Sequence, residues 1–260
     1  MATTPALTPS RFTLQTRGAW SARDDRTPSA VWLAILWVGM ITGFSVDFPH
    51  YLGENPPAPW IVHVHAAIYT VWMLLLTTQV LLVVRDRVAL HRRLGWVLVA
   101  WAALMGIMGP VAILSSDALN LNNPGFNPAF VAIAFENVLC FLSLLAWGVA
   151  LRKNPAAHRR LMILSSVALA DPGFARFSGW LWPHEPASLP VWHFYIFYGN
   201  ILLVCLMAAW DWHRGRLMRQ FVVGAAALLT AEFIASSLYF WPPWKTVATG
   251  WVEAWGRHFG

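Results

Sequence analysis

Apolar residues run in seven long blocks, near 30–46, 60–84, 94–115, 129–151, 161–182, 191–211 and 220–241, with short polar connections between them. A helix crosses a bilayer with about 20 mostly apolar residues, so the pattern predicts an all-α polytopic membrane bundle of about seven transmembrane helices. Residues 1–29 are expected to form a cytoplasmic N-terminal arm, 30–241 the seven-helix transmembrane domain, and 242–260 a periplasmic C-terminal tail. A secretory signal would place its apolar core earlier and end it at a small-residue site, so the first span is expected to be retained.

Composition sharpens the class. Of 260 residues, 58% are hydrophobic and 12% charged, about half the charge of an ordinary soluble domain. Cys140 and Cys205 both sit inside apolar runs, which leaves neither a disulfide framework nor a cysteine-based zinc site. The 18 basic residues carry the topology. All but Arg176, Lys245 and Arg257 fall in the arm or in the loops at 85–93, 152–160 and 214–219. By the positive-inside rule those segments are cytoplasmic, giving an amino terminus inside and a carboxyl terminus outside, in the inner membrane of a bacterium. The formal net charge of +6 then follows from topology and implies no nucleic-acid partner.

Two of these loops resemble each other residue by residue. Arg85 to Leu94 ends in His91-Arg92-Arg93-Leu94, and Arg152 to Leu161 ends in His158-Arg159-Arg160-Leu161. A looser copy begins at His213. The chain thus reads as a leading helix followed by parallel repeated helical hairpins. Equivalent positions in a repeat lie at equal depth, so His91 and His158 are expected together at the inner surface. They either anchor helix ends among lipid phosphates or form a pair able to ligate haem.

Ionisable groups within a bilayer are costly and need a reason. In the second span His65 shares a helical face with Tyr69, Trp72 and Gln79, whereas His63 points about 160° away. Glu136 and Asn137 lie in the fourth span, His193 and Asn200 in the sixth, Glu232 and Ser236 in the seventh. Ala170-Asp171-Pro172-Gly173 interrupts the fifth, where Asp171 reads as the N-cap of a restarting helix. His65, Glu136, Asp171, His193 and Glu232 are expected to share a polar pocket in the outer half. With His63 they form a candidate set for iron, copper or zinc. His65 and His193 are alternatively a candidate outer haem pair, and the combination of histidines and carboxyls would equally suit a proton relay.

The run from His63-Val-His65 to His91-Arg92-Arg93-Leu94-Gly95, with His158-Arg159-Arg160-Leu161-Met162, resembles a group of uncharacterised bacterial multi-spanning inner-membrane proteins. It is similar, more distantly, to haem-copper oxidase assembly proteins and transmembrane b-type cytochromes. That resemblance implies haem b at His65, His91, His158 and His193. A retinal-type Schiff-base lysine is missing from the spans, and the last span lacks the paired histidines of seven-helix zinc amidohydrolases. Three functions follow: a haem- or metal-binding protein of redox or oxidase-assembly role, a non-catalytic accessory subunit of a larger membrane complex, or a small-molecule or proton transporter. Membrane lipids are the expected partners in all three.

Overall fold

The computed structural model describes residues 25–54, 57–184 and 186–259. Among them the chain is helical, with no strand: α1 (Arg26–Leu52), α2 (Trp60–Val84), α3 (Val88–Asn120), α4 (Val131–Ala150), α5 (Pro155–Val167), α6 (Asp171–Leu181), α7 (Leu189–His213), α8 (Arg219–Tyr239) and α9 (Pro242–Phe259). A short 3-10 turn, Pro128–Phe130, leads into α4. Six helices, α1 to α4 (the last with its 3-10 lead-in), α7 and α8, are long and apolar enough to cross a membrane, which makes this a multi-pass membrane protein. The remaining apolar block, 161–182, is divided between α5 and α6. Most of the arm, residues 1–24, lies outside the described residues.

The division has a local cause. Proline at 172 cannot donate a backbone hydrogen bond and disfavours helical dihedrals in the residue before it. Leu169 and Ala170 instead donate to the carbonyls of Ser166 and Val167, a tighter i to i−3 closure. Asp171 becomes the first residue of α6, with Ala170 in the capping position. Asn154 opens α5 by accepting from Ala157 N–H at 3.3 Å, with Pro155 at the first helical position.

The half-helix α6 is clasped between α1 and α7. Gly43 meets the backbone of Gly173, and the Phe174 ring lies against both Gly39 and Gly199, so closely that a methyl group at either glycine would overlap it. Leu36, Trp72, Met105, Phe141, Leu164, Leu203 and Phe221 fill the main core. Large apolar side chains such as Trp60, Ile107, Leu139 and Phe194 stay exposed, as helices solvated by lipid require.

Side-chain contacts gather the helix ends into two poles. At one, Arg160 of α5 grips Asp211 of α7 through two hydrogen bonds, the longer 2.7 Å, and reaches Asp25, just before α1, at 3.1 Å. Arg159 pairs with Asp25 at 3.3 Å, and Arg26 with Asp86 in the α2–α3 turn. All three carboxylate and guanidinium groups of the Asp25, Arg160 and Asp211 trio are buried. At the opposite pole Arg176 of α6 bonds Asp47 of α1 at 2.8 Å, and Tyr51 bonds His63 at 3.0 Å.

The segment expected as a tail is α9, which packs along α3. Ala248 and Val252 are fully buried, Trp255 donates to Ser115 at 3.0 Å and Trp244 to the Ala129 carbonyl at 3.1 Å. Its apolar positions are spaced for one helical face, a pattern too short and too interrupted by Lys245, Glu253 and Arg257 to stand out as a span.

Candidate functional site

Two groups of polar side chains lie between the helices. The first is at the basic pole, where α3 and α5 begin. His91 and His158 present their rings edge to face, with centroids 6.2 Å apart and planes inclined by 78°. Equal depth, expected from the repeated loops, is what this contact requires. His158 Nδ1 lies 2.8 Å from the Gly148 carbonyl at the end of α4, which assigns the proton to Nδ1 and leaves Nε2 with a free lone pair. The buried Gln79 amide of α2 adjoins His91. With its oxygen accepting from Gly95 N–H at 3.1 Å, its nitrogen donates to the His91 carbonyl at 3.2 Å and to Nδ1. Arg92 and Arg159 stand close enough to act electrostatically on His91.

The second group lies deeper and toward the opposite pole. It comprises Glu136 and Asn137 on α4, Asp171 at the start of α6, Asn200 on α7 and Glu232 on α8, all buried. Asn137 Nδ2 donates to Asp171 Oδ2 at 3.0 Å, and Asn200 Nδ2 donates to Glu232 Oε1 at 2.8 Å. Glu136 lies within electrostatic reach of both Asp171 and Glu232. Four helices supply this group, because the break before Pro172 sets Asp171 facing Asn137.

The structure brings together Glu136, Asp171 and Glu232 from the expected outer set, but gives the histidines other surroundings. His65 turns inward, half-buried, as the shared stripe predicts, and its ring stacks on Tyr69 of its own helix at 4.1 Å. His193 bonds Ser236 Oγ at 2.8 Å and packs against Phe197 and Phe233. His63 is exposed and turned to Tyr51, as its 160° offset from His65 dictates. Among the described residues no three His, Cys, Asp or Glu side chains converge as a set able to hold one metal ion. The six-residue metal set is therefore not assembled, and neither is a His65–His193 ring pair: each ring has partners of its own.

Sequence reasoning missed the Asp25–Arg160–Asp211 cluster, because the arginines were accounted for by topology and Asp25 lies in a segment read as a solvated arm. It also undervalued Asn137 and Asn200. Asn137 and Asp171 lie 34 residues apart and Asn200 and Glu232 lie 32 apart, and such a pairing between helices has no signature in one chain. Compared with protein-family models, curated proteins and solved structures, the chain matches none.

Proposed function

We propose that this chain is a seven-span inner-membrane protein of bacteria that holds a haem iron between His91 and His158, with a redox or oxidase-assembly role. In this reading α5 and α6 together make the seventh span, the basic pole faces the cytoplasm, and the hairpins from α2 onward repeat in parallel. The single observation that carries it is the pairing of the two rings at 6.2 Å. Metal–nitrogen bonds of about 2.0–2.1 Å on either side of one ion set two imidazole centroids about 6 Å apart once both Nε2 atoms face the ion, an arrangement the rings reach by turning out of their edge-to-face contact.

Three further features support haem rather than a bare ion. Two imidazoles with no third protein ligand among the described residues suit an iron whose other four ligands come from a macrocycle. The Gly148 carbonyl holds the His158 ring through its second nitrogen, the usual way a ligating imidazole is oriented. Arg92, Arg93 and Arg159 sit beside the pair in sequence and are matched in charge to propionate groups. In its satisfied orientation the Gln79 amide donates to His91 Nδ1 and so leaves the ring proton on Nε2; ligation by His91 Nε2 therefore requires Gln79 to give up its contacts with His91 and Gly95, and Gln79 opposes the site.

The test is an absorption spectrum of the protein produced with haem supplied, together with metal analysis. A Soret band that His91→Ala and His158→Ala each abolish, and that Gln79→Leu shifts, is the expected result. A colourless protein, or a band that survives both alanine variants, removes the proposal.

A further inference from the structure

We propose that Glu136, Asp171 and Glu232, with Asn137 and Asn200, form a proton-binding site inside the membrane that exchanges protons with the pole where Arg176 meets Asp47. The site is separate from the histidine pair and does not depend on haem.

The argument is a count of donors and acceptors. Both amide nitrogens are spent, one on Asp171 and one on Glu232. What remains is a set of buried oxygens without a hydrogen-bond partner: both of Glu136, Oδ1 of Asn137, Oδ1 of Asp171, Oδ1 of Asn200 and Oε2 of Glu232. Every one of these atoms is an acceptor when the acids are ionised. The two amide oxygens are the independent sign of a ligand, because Asn137 and Asn200 are 7% and 0% exposed and are held in the cluster by their own nitrogens. An amide oxygen buried in this way needs a donor.

Among the described side chains the donor that reaches the cluster beyond the two amides is the weak thiol of Cys140, and it serves Glu136 rather than an amide oxygen. The titratable groups facing the cluster are Cys140, whose weak thiol stands beside Glu136, and Arg176, within electrostatic reach of Asp171. The Arg176 guanidinium is engaged with Asp47 and with the Pro172 carbonyl. Three ionised carboxylates within electrostatic reach of one another, with no side-chain cation bonded to them among the described residues, are not a state that a membrane interior supports. Carboxyl protons resolve both problems at once. Each proton removes a charge and creates an O–H that can donate to an open amide or carboxyl oxygen.

With all but one of the acids protonated, exchange is a balanced step. The O–H bond of one carboxyl breaks, an O–H bond forms on the neighbouring carboxylate, and the negative charge passes the opposite way. Access follows the half-helix. Asp171 opens α6 and Arg176 lies further along it, partly exposed and bound to Asp47. Toward the basic pole Trp72, Phe141, Leu144 and Leu164 close the core, so protons leave and enter from the Arg176 side. Broken helices serve the same purpose in membrane proteins that bind ions at mid-depth.

Infrared spectroscopy of the full chain in lipid vesicles tests this. At neutral pH the spectrum is expected to contain C=O stretches of protonated carboxyls that shift on transfer to D2O. Glu136→Gln, Asp171→Asn and Glu232→Gln are near-isosteric, and each is expected to delete or displace one of those bands. A parent spectrum without protonated carboxyl bands overturns the proposal. So do bands that fail to exchange with D2O over a day, which mark a static structural network. Carboxylate bands that respond to added Na+ and not to pH also overturn it, in favour of a metal-cation site. The parent protein decides these points by itself, so a variant that fails to fold leaves the test intact.

Discussion

Removing the guanidinium of Arg160 is expected to unlock the basic pole. In the folded chain this one side chain satisfies Asp211 through two hydrogen bonds, Asp25 through a third at 3.1 Å and the Ala156 carbonyl through a fourth at 3.1 Å. Asp25 and Asp211 are 4% and 5% exposed. Arg160→Ala leaves two buried carboxylates whose nearest strong donor is gone. Breaking a buried ion pair by removing one partner costs about 3–5 kcal/mol. At roughly 2–4 °C per kcal/mol for a chain of this size, that lowers Tm by roughly 6–20 °C. Arg159 and Arg216 remain near Asp25, which places the expected value in the lower half of that range.

The assay is thermal unfolding of purified protein in one detergent, with a partner-replacement control. Arg160→Met combined with Asp211→Leu removes both charges and keeps the volume, and is expected to recover most of the loss. An Arg160→Ala variant within 2 °C of the parent, an order-of-magnitude threshold well below the worked range, refutes the reasoning: the pole would then be wet enough to solvate both carboxylates. A double variant as unstable as the single one refutes it differently, by placing the loss on Asp25 deprived of Arg160 and not on the Arg160–Asp211 pair.

Two other outcomes test the packing and the topology. Gly199→Ala is expected to destabilise by about 1–3 kcal/mol, the usual cost of overpacking, because its methyl meets the Phe174 ring; Phe174→Leu in the same chain should relieve part of it, and additivity of the two changes in thermal unfolding would disprove the clash. Cysteine labelling of intact cells should modify His184→Cys from outside but neither Arg87→Cys nor Asp117→Cys, the former because the proposed orientation puts it in the cytoplasm and the latter because Asp117 is buried within α3; labelling at 87 from outside inverts the membrane orientation.

The pattern of apolar blocks determined the all-helical membrane class, and it located helices closely where a block ended in a charged turn. The block 60–84 is α2 to the residue. Period alone sorted His65 inward and His63 outward, since two positions on one helix cannot share a face when they lie about 160° apart. The repeated His-Arg-Arg run put His91 and His158 in equivalent positions of the sequence, and the structure brings their two rings into contact. Asp-Pro-Gly at 171–173 announced a break, because proline's missing N–H is a local fact.

What only the tertiary structure decided is which polar groups meet. Helices α4, α6, α7 and α8 must rotate and settle against one another before Asn137 can find Asp171, or Asn200 can find Glu232, and those rotations are set by packing around Phe174, Gly39 and Gly199. The same packing gives His65 its stacking on Tyr69 and His193 its hydrogen bond with Ser236. Depth is a one-dimensional property, readable from position in a span. Azimuth is relational, and a single chain carries no direct signal of it. The helix α9 and the buried Asp25 make the point at the termini: both looked solvated by composition, and both are held in place by partners more than 100 residues away in sequence.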